Sequence, residues 1–341
     1  MTGVQTCALP ISNTGNIGYG EAAPTAVITG DTKLGIIGVT LEQIKKQLIG
    51  LDISNIEEIM NRLDKCVVRN TSAKAAVDIA VYDLYGQLYN SPVYKLLGGY
   101  RKEISTDITI SVNEPSQMAI DSIDAVKIGF KTLKIKVGNN SKKDIERMLA
   151  VRKAVGKDIS LRLDANQGWT PKEAVKTIRK MEDANIGIEL IEQPVRADDI
   201  YGLKFVTDNT LIPVMADESI FSPKDALKIM QLRAADYVNI KLMKCGGIHN
   251  ALKITSFAEV YGVECMLGCM LEGKISVNAA VHLAGAKSII TKIDLDGPIL
   301  CSEDPIIGGS IFNNSKITLS DTPGFGIESV TGLIDIKTIY H

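Results

Sequence analysis

Residues 132–137 read TLKIKV, and this short run decides the fold. Its β-branched and apolar content marks a strand, with lysines two residues apart. Side chains alternate along a strand, so Lys134 and Lys136 share one face and Ile135 takes the other. Runs of the same kind recur on either side. They are ISTDITI (104–110), ISLRLD (159–164), IELIEQ (188–193), IPVMADE (212–218), YVNIKL (237–242), VECMLG (263–268) and ITKIDLD (290–296). Their spacing of roughly 24–28 residues suits one strand, one helix and two short loops.

Helical patterns fill the intervals. One is SKKDIERMLAVRKAVG (141–156). Another is TPKEAVKTIRKMEDANI (170–186), with Thr170 as N-cap, Pro171 at the first helical position and Glu173 completing a capping box. Eight strands alternating with helices imply parallel pairing, and eight is the number that closes a barrel. The alternative is an open doubly wound sheet. No Gly-x-Gly-x-x-Gly follows any of the runs, which weighs against that sheet and against a Rossmann-type dehydrogenase.

Residues 12–103 read as a small α+β domain capping the barrel. GNIGYGEAAP suggests a strand end and turn, followed by helices over 41–50 and 71–90. The second helix is Ala-rich and is expected to be buried. The barrel occupies 104–304. The remaining 305–341, with GSIFNN, KITLS and GLIDIKT, is expected to return to the capping domain. Residues 1–11, MTGVQTCALPI, lack the charged start and long apolar core of a signal peptide. They resemble the translation of a sequencing-library adapter, so they read as a non-native leader in place of a missing native segment. A genuine leader is the alternative, and resequencing the source DNA decides.

A net charge of −2 gives no electrostatic footprint for nucleic acid or an anionic membrane. Apolar stretches such as Ile104–Ile110 are too short to span a bilayer. Six cysteines without a Cys-x-x-Cys pair, and only three histidines, argue against zinc. Reduced thiols and a cytoplasmic location are the expectation. A homo-oligomer remains open.

In a barrel of this kind, function gathers at the C-terminal strand ends. Those ends carry Lys134 and Lys136, then Asp164, Glu192, Asp217, Lys241, and finally Asp294 and Asp296. Two neighbouring lysines repel, which gives each a reason for a lowered pKa. Asp164, Glu192 and Asp217 come from consecutive strands and are expected to converge. Three such acids need a cation, and an all-oxygen set favours Mg²⁺. Lys241 lies four strands from Lys136, across the ring. A substrate carboxylate between them would have a lysine on each face, the geometry for removing an α-proton and returning it on the other side.

The motifs KIK, LDAN, IEQP, ADES and NIK, in this order and spacing, resemble the enolase superfamily, specifically its muconate-lactonizing-enzyme subgroup. The resemblance runs from about Gly18 to the C-terminus. It implies a capping domain on a modified TIM barrel, (β/α)7β. It implies Asp164, Glu192 and Asp217 as ligands of one Mg²⁺ per subunit, and Lys136 and Lys241 as the acid/base pair. Lys134 would neutralise the substrate carboxylate, with Asn166 and Glu218 behind these groups.

Gly268-Cys-Met-Leu-Glu272 and Asp294-Leu-Asp296 are similar to dipeptide epimerases. In that family the paired aspartates bind the substrate's α-ammonium. Two acids outside the metal set call for a cation, so the chemistry agrees. Residues matching Thr109, Cys269 and Leu271 contact the dipeptide there. The resemblance implies L-Ala-D/L-Glu epimerisation in murein-peptide recycling, through a metal-stabilised enediolate. The second side chain is read partly by an N-terminal loop belonging to the suspected missing segment. The competing readings are o-succinylbenzoate synthase, muconate cycloisomerase, and a truncated, inactive homologue.

Overall fold

The structure is a computed structural model that describes residues 6–8 and 12–334. Most of the suspected leader, and residues 335–338 of GLIDIKT, lie outside the described residues. Thr6–Ala8 pairs antiparallel with Gly20–Ala22.

Eight strands form the central sheet: β1 Ile108–Ile110, β2 Thr132–Lys136, β3 Ser160–Asp164, β4 Ile188–Glu192, β5 Val214–Ala216, β6 Tyr237–Lys241, β7 Cys265–Gly268 and β8 Ile290–Asp294. Each pairs in parallel with the next in chain order. Between β8 and β1 the links are sparse. The Asp107 N–H donates to the Ile293 carbonyl at 3.3 Å, and the Leu295 N–H donates to the Thr106 hydroxyl at 2.8 Å. The result is a nearly closed parallel barrel with helices between its strands.

Strand alternation builds its two faces. Leu133, Ile135, Leu161, Leu163, Val238 and Ile240 are buried in the main core beneath the helices. Inside, Leu190, Met215 and Met266 form a separate apolar cluster that fills the barrel's middle. Toward the C-terminal ends the inward positions turn polar.

The helices start where their caps dictate. Thr170 accepts the Glu173 N–H and opens Pro171–Asp183. Asn140 accepts the Lys142 and Lys143 N–H groups and opens Ser141–Val155. The buried helix read at 71–90 spans Thr71–Leu88. The one read at 41–50 begins earlier, at Lys33, because Thr32 caps it, and it passes through a π turn at Thr40–Ile44. The helix at Ile56–Lys65 has no counterpart in the sequence reading.

The run ISTDITI is not one strand. Glu103–Ser105 pairs antiparallel with Lys316–Thr318 of the tail, and only Ile108–Ile110 joins the barrel. Thr106 and Asp107 turn the chain between the two, their N–H groups donating to Ser315 and Ile293 carbonyls. The tail meets both layers. The Phe325 N–H donates to Asp83 of the Thr71–Leu88 helix, and its carbonyl accepts from Asn278 of the Lys274–Ala286 helix. Among the described residues, no helix is long and apolar enough to cross a membrane.

The capping domain holds the barrel through buried carboxylates at helix ends. Asp78 accepts the Ile248 N–H at 2.6 Å and the His249 N–H at 3.1 Å, at the start of the Ile248–Tyr261 helix. Burial pushes its carboxyl up to about 7. Asp78→Ala strands two helix-start donors, one buried and one partly buried, at up to about 1–3 kcal/mol each. The expected result is a loss of about 3 kcal/mol or more, read as a lower midpoint in denaturant. An unchanged midpoint would remove this contact from the account of domain docking.

Candidate active site

The site is built where the inward faces of the strands end. β2 and β3 are in register, with Lys134 opposite Arg162 and Lys136 opposite Asp164. Both lysines reach the same carboxylate: Asp164 Oδ2 lies 3.1 Å from Lys134 Nζ and 2.6 Å from Lys136 Nζ. Lys134 also lies 2.8 Å from Glu192 Oε2 and 2.7 Å from Asp294 Oδ2. Across the barrel, Lys241 donates to Asp217 Oδ2 at 2.8 Å. The two amines of the expected acid/base pair therefore rest on different acids, Lys136 on Asp164 and Lys241 on Asp217.

Asp217 lies one residue past β5, and Asp296 two residues past β8, so neither is a strand residue. Asn166 links the strand ends. Its side-chain oxygen accepts from Lys136 at 2.8 Å, and its amide donates to Glu218 Oε1 at 3.1 Å. Gly268 points into this crowded region. A Cβ there would stand 2.9 Å from the Asn239 side chain and 3.1 Å from Lys241 Cε, so a side chain at this position would crowd both.

The lowered pKa expected from mutual lysine repulsion is not found at Lys134. Burial pulls the ammonium down, but Asp164, Asp294 and Glu192 outweigh it and hold it well above the usual range. Lys241 is likewise raised, chiefly by Asp217 acting against burial. The acids divide accordingly. Burial opposes ionisation of Asp164, yet Lys134 and Lys136 hold its carboxyl at about 2. Glu192 is pushed up to about 8 by burial and by the Asp164 charge.

The single meeting point expected for Asp164, Glu192 and Asp217 is met only in part. Asp164 and Glu192 gather on Lys134, whereas Asp217 is held by Lys241 and Lys244. Among the described residues, no three His, Cys, Asp or Glu side chains form a ready-made metal cage. The donor set nevertheless fits a hard divalent cation. Asp164, Glu192, Asp217, Glu218, Asp294 and Asp296 are six buried acids against the four lysines 134, 136, 241 and 244, a formal excess of two negative charges. Glu218 Oε2 is buried without a hydrogen-bond partner, and Glu192 is driven toward protonation. An oxygen-only set with surplus negative charge suits Mg²⁺.

Asp294 and Asp296 flank this group. Asp296 Oδ2 accepts the Thr109 N–H at 2.8 Å, so Thr109 positions an acid through its backbone. Behind Asp294 lies the buried Asp107 carboxyl, whose Oδ2 accepts from Arg162 at 2.8 Å and whose Oδ1 is buried without a hydrogen-bond partner. Cys269 is half-buried, and its N–H donates to the Asp294 carbonyl at 3.1 Å. Burial raises its thiol well above the usual range, which disfavours a nucleophilic role. Leu271 on the same loop is 67% exposed, free to meet a ligand.

Several site residues escape the strand-end rule. Lys244, 1% exposed, donates to the Asp217 carboxylate and backbone carbonyl. It follows Lys241 by one helical turn, a spacing the sequence offers. Asn239 donates to Glu192 Oε1 at 2.8 Å and is found by stepping two residues back from Lys241 along the same face. Arg162 stands in the same relation to Asp164. Gln193 Oε1 accepts the Asp217 N–H at 2.8 Å and the Ser219 N–H at 3.2 Å, tying two strand ends together.

Comparison with known proteins places this arrangement. Residues 4–98 match the family described as mandelate racemase / muconate lactonizing enzyme, N-terminal domain. Residues 118–331 match enolase C-terminal domain-like. The L-Ala-D/L-Glu epimerase of Clostridium acetobutylicum is 62% identical over 94% of this chain and 89% of its own length. A substrate-liganded complex of the L-Ala-D/L-Glu epimerase from Bacillus subtilis superposes with a TM-score of 0.95 at 48% identity, covering 96% of this chain and 91% of that one. The dipeptide epimerase from Enterococcus faecalis, complexed with Mg and the dipeptide L-Leu-L-Tyr, gives a TM-score of 0.92 at 46% identity, covering 95% and 92%. The chain belongs to the mandelate racemase/muconate lactonizing enzyme family of the enolase superfamily.

Proposed function

We propose that this protein is a Mg²⁺-dependent dipeptide epimerase that moves one proton at the α-carbon of the second residue, with L-Ala-D/L-Glu as its leading substrate pair. The observation that carries the reading is that Lys136 and Lys241, on strands four apart in the barrel, rest on different acids, Asp164 and Asp217. Lys136 serves one face of the substrate and Lys241 the other, each accepting the α-proton in one direction and donating it in the reverse. Lys134 faces the substrate carboxylate. Asp294 and Asp296 take the α-ammonium and fix which end of the dipeptide enters. Asn166 and Glu218 hold Lys136 in line. Asp164, Glu192 and Asp217 would hold Mg²⁺, which would supply positive charge to stabilise the substrate carboxylate as negative charge develops on it.

The relatives named above are epimerases, which favours this reading over o-succinylbenzoate synthase and muconate cycloisomerase. Their substrates also lack the ammonium that Asp294 and Asp296 would bind. A role in murein-peptide recycling follows from the L-Ala-L-Glu preference.

A panel of L,L-dipeptides incubated in D₂O with Mg²⁺ tests the function. Deuterium is expected at the second α-carbon, fastest in L-Ala-L-Glu. No incorporation into any member would end the epimerase reading. Asp296→Asn is expected to lower kcat/KM for free dipeptides by about 10²-fold through loss of the charge partner. Turnover of N-acetylated dipeptides, slow at the outset, should fall far less. Equal losses for both would remove Asp296 from ammonium recognition.

A further inference from the structure

The Lys274–Ala286 helix follows the loop that carries Cys269 and Leu271, and it lacks a cap of its own. Gly273 stands at its N-cap position and has no side chain to offer. The donors are met instead by Glu21, which lies 252 residues earlier, on the Gly20–Ala22 strand of the capping domain. Glu21 Oε1 accepts the Gly273 N–H at 2.6 Å, and Oε2 accepts the Ser276 N–H at 3.2 Å. Glu21 is 1% exposed. Its strand is pressed against the Thr71–Leu88 helix at Gly20, where a Cβ would meet the Ala76 carbonyl oxygen at 1.8 Å. That close approach fixes where Glu21 stands.

From this anchor the structure runs without a gap to the substrate side. Glu272 accepts the Met270 N–H at 2.7 Å and the Ser276 hydroxyl, closing the 270–276 segment on itself. Gly297, next to Asp296, packs so closely that a Cβ would stand 2.7 Å from the Glu272 carbonyl oxygen and 3.5 Å from Cys269 Sγ. The Cys269 N–H meanwhile donates to the Asp294 carbonyl. The 269–272 loop is thus held between the helix start that Glu21 caps and the two aspartates proposed for the ammonium.

We propose that Glu21 is a positioning residue of the active site: by capping the Lys274–Ala286 helix from the other domain, it fixes the 269–272 loop and so sets how selectively dipeptides are bound. The inference rests on the dipeptide reading for its kinetic part only. A loop held this way orders Cys269 and Leu271 before substrate arrives, and loosening it weakens binding more than proton transfer, because the lysines stand on other strands.

Glu21→Ala and Glu21→Gln test the proposal in the full chain. Hydrogen exchange followed by mass spectrometry reads the loop without any substrate. In Glu21→Ala, the amides of 269–276 are expected to exchange at least about tenfold faster while the strands β2–β6 stay protected. KM for L-Ala-L-Glu is expected to rise about tenfold with kcat within about threefold, and the spread of kcat/KM across the dipeptide panel to narrow. Glu21→Gln keeps a carbonyl oxygen for Gly273 and should recover most of both effects. It also carries the test if the alanine variant does not fold, with smaller shifts in the same direction. Unchanged exchange across 269–276 overturns the proposal whatever the substrate. Faster exchange with KM and the panel spread unaltered overturns it too, leaving Glu21 a purely structural cap. Absence of dipeptide turnover in the unaltered protein would count against the function and leave the exchange result to judge Glu21.

Discussion

Lys241→Ala is expected to lose α-proton exchange from one epimer of the dipeptide by about 10²–10⁴-fold while partly sparing the other, and Lys136→Ala is expected to show the mirror pattern. The expectation follows from where the amines rest. In the proposed mechanism each lysine serves a single face, and in the structure each rests on its own acid: Asp164 for Lys136, Asp217 for Lys241. Removing one amine leaves the other able to withdraw the proton from its own face and return it there, giving exchange without inversion. The measurement is deuterium incorporation into L-Ala-L-Glu and L-Ala-D-Glu, assayed separately. Equal loss of exchange for both epimers in both variants would point to a single base.

The protonation of Lys241 leads to the second large effect. Asp217 at 2.8 Å keeps the lysine charged, so in this arrangement it is a proton donor. To act as a base in the reverse direction it must shed that proton, which requires the Asp217 charge to be taken up elsewhere. A divalent cation held by Asp217 would do this by competing for the carboxylate that now pairs with Lys241 and Lys244. Chelation of divalent ions is therefore expected to stop exchange from both epimers, by on the order of 10³-fold or more, with recovery on adding Mg²⁺. Glu192→Gln is expected to weaken Mg²⁺ binding in calorimetry without unfolding the protein, since burial and the Asp164 charge already push its carboxyl up to about 8. Exchange that persists in excess chelator would leave the acids as a purely internal salt network.

The barrel was legible because it is local. TLKIKV and its seven counterparts carry period-two patterns inside short windows, and the helices between them are opened by Thr170 and Asn140 acting within three residues. The same periodicity singled out Lys134, Lys136, Asp164, Glu192 and Lys241, since a residue at a strand end on the inward face has one place to point. Where a run served two sheets, as at 104–110, the pattern misled, because pairing with Lys316–Thr318 leaves no mark within the run itself. The charge state of Lys134 was misjudged for a similar reason. Its neighbour Lys136 is visible in sequence, whereas the three acids that dominate it lie on other strands.

The amino-acid sequence alone determined the strand–helix alternation, the inward face of each strand and the chemical types at its end. Only the folded chain decided that Lys244 holds Asp217, that Gln193 ties two strand ends together, and that Asp78 and Glu21 cap barrel helices from another domain. Periodicity follows from the backbone geometry of adjacent residues, while a buried polar group takes whichever partner the packing brings within hydrogen-bond reach, and that partner can stand anywhere along the chain.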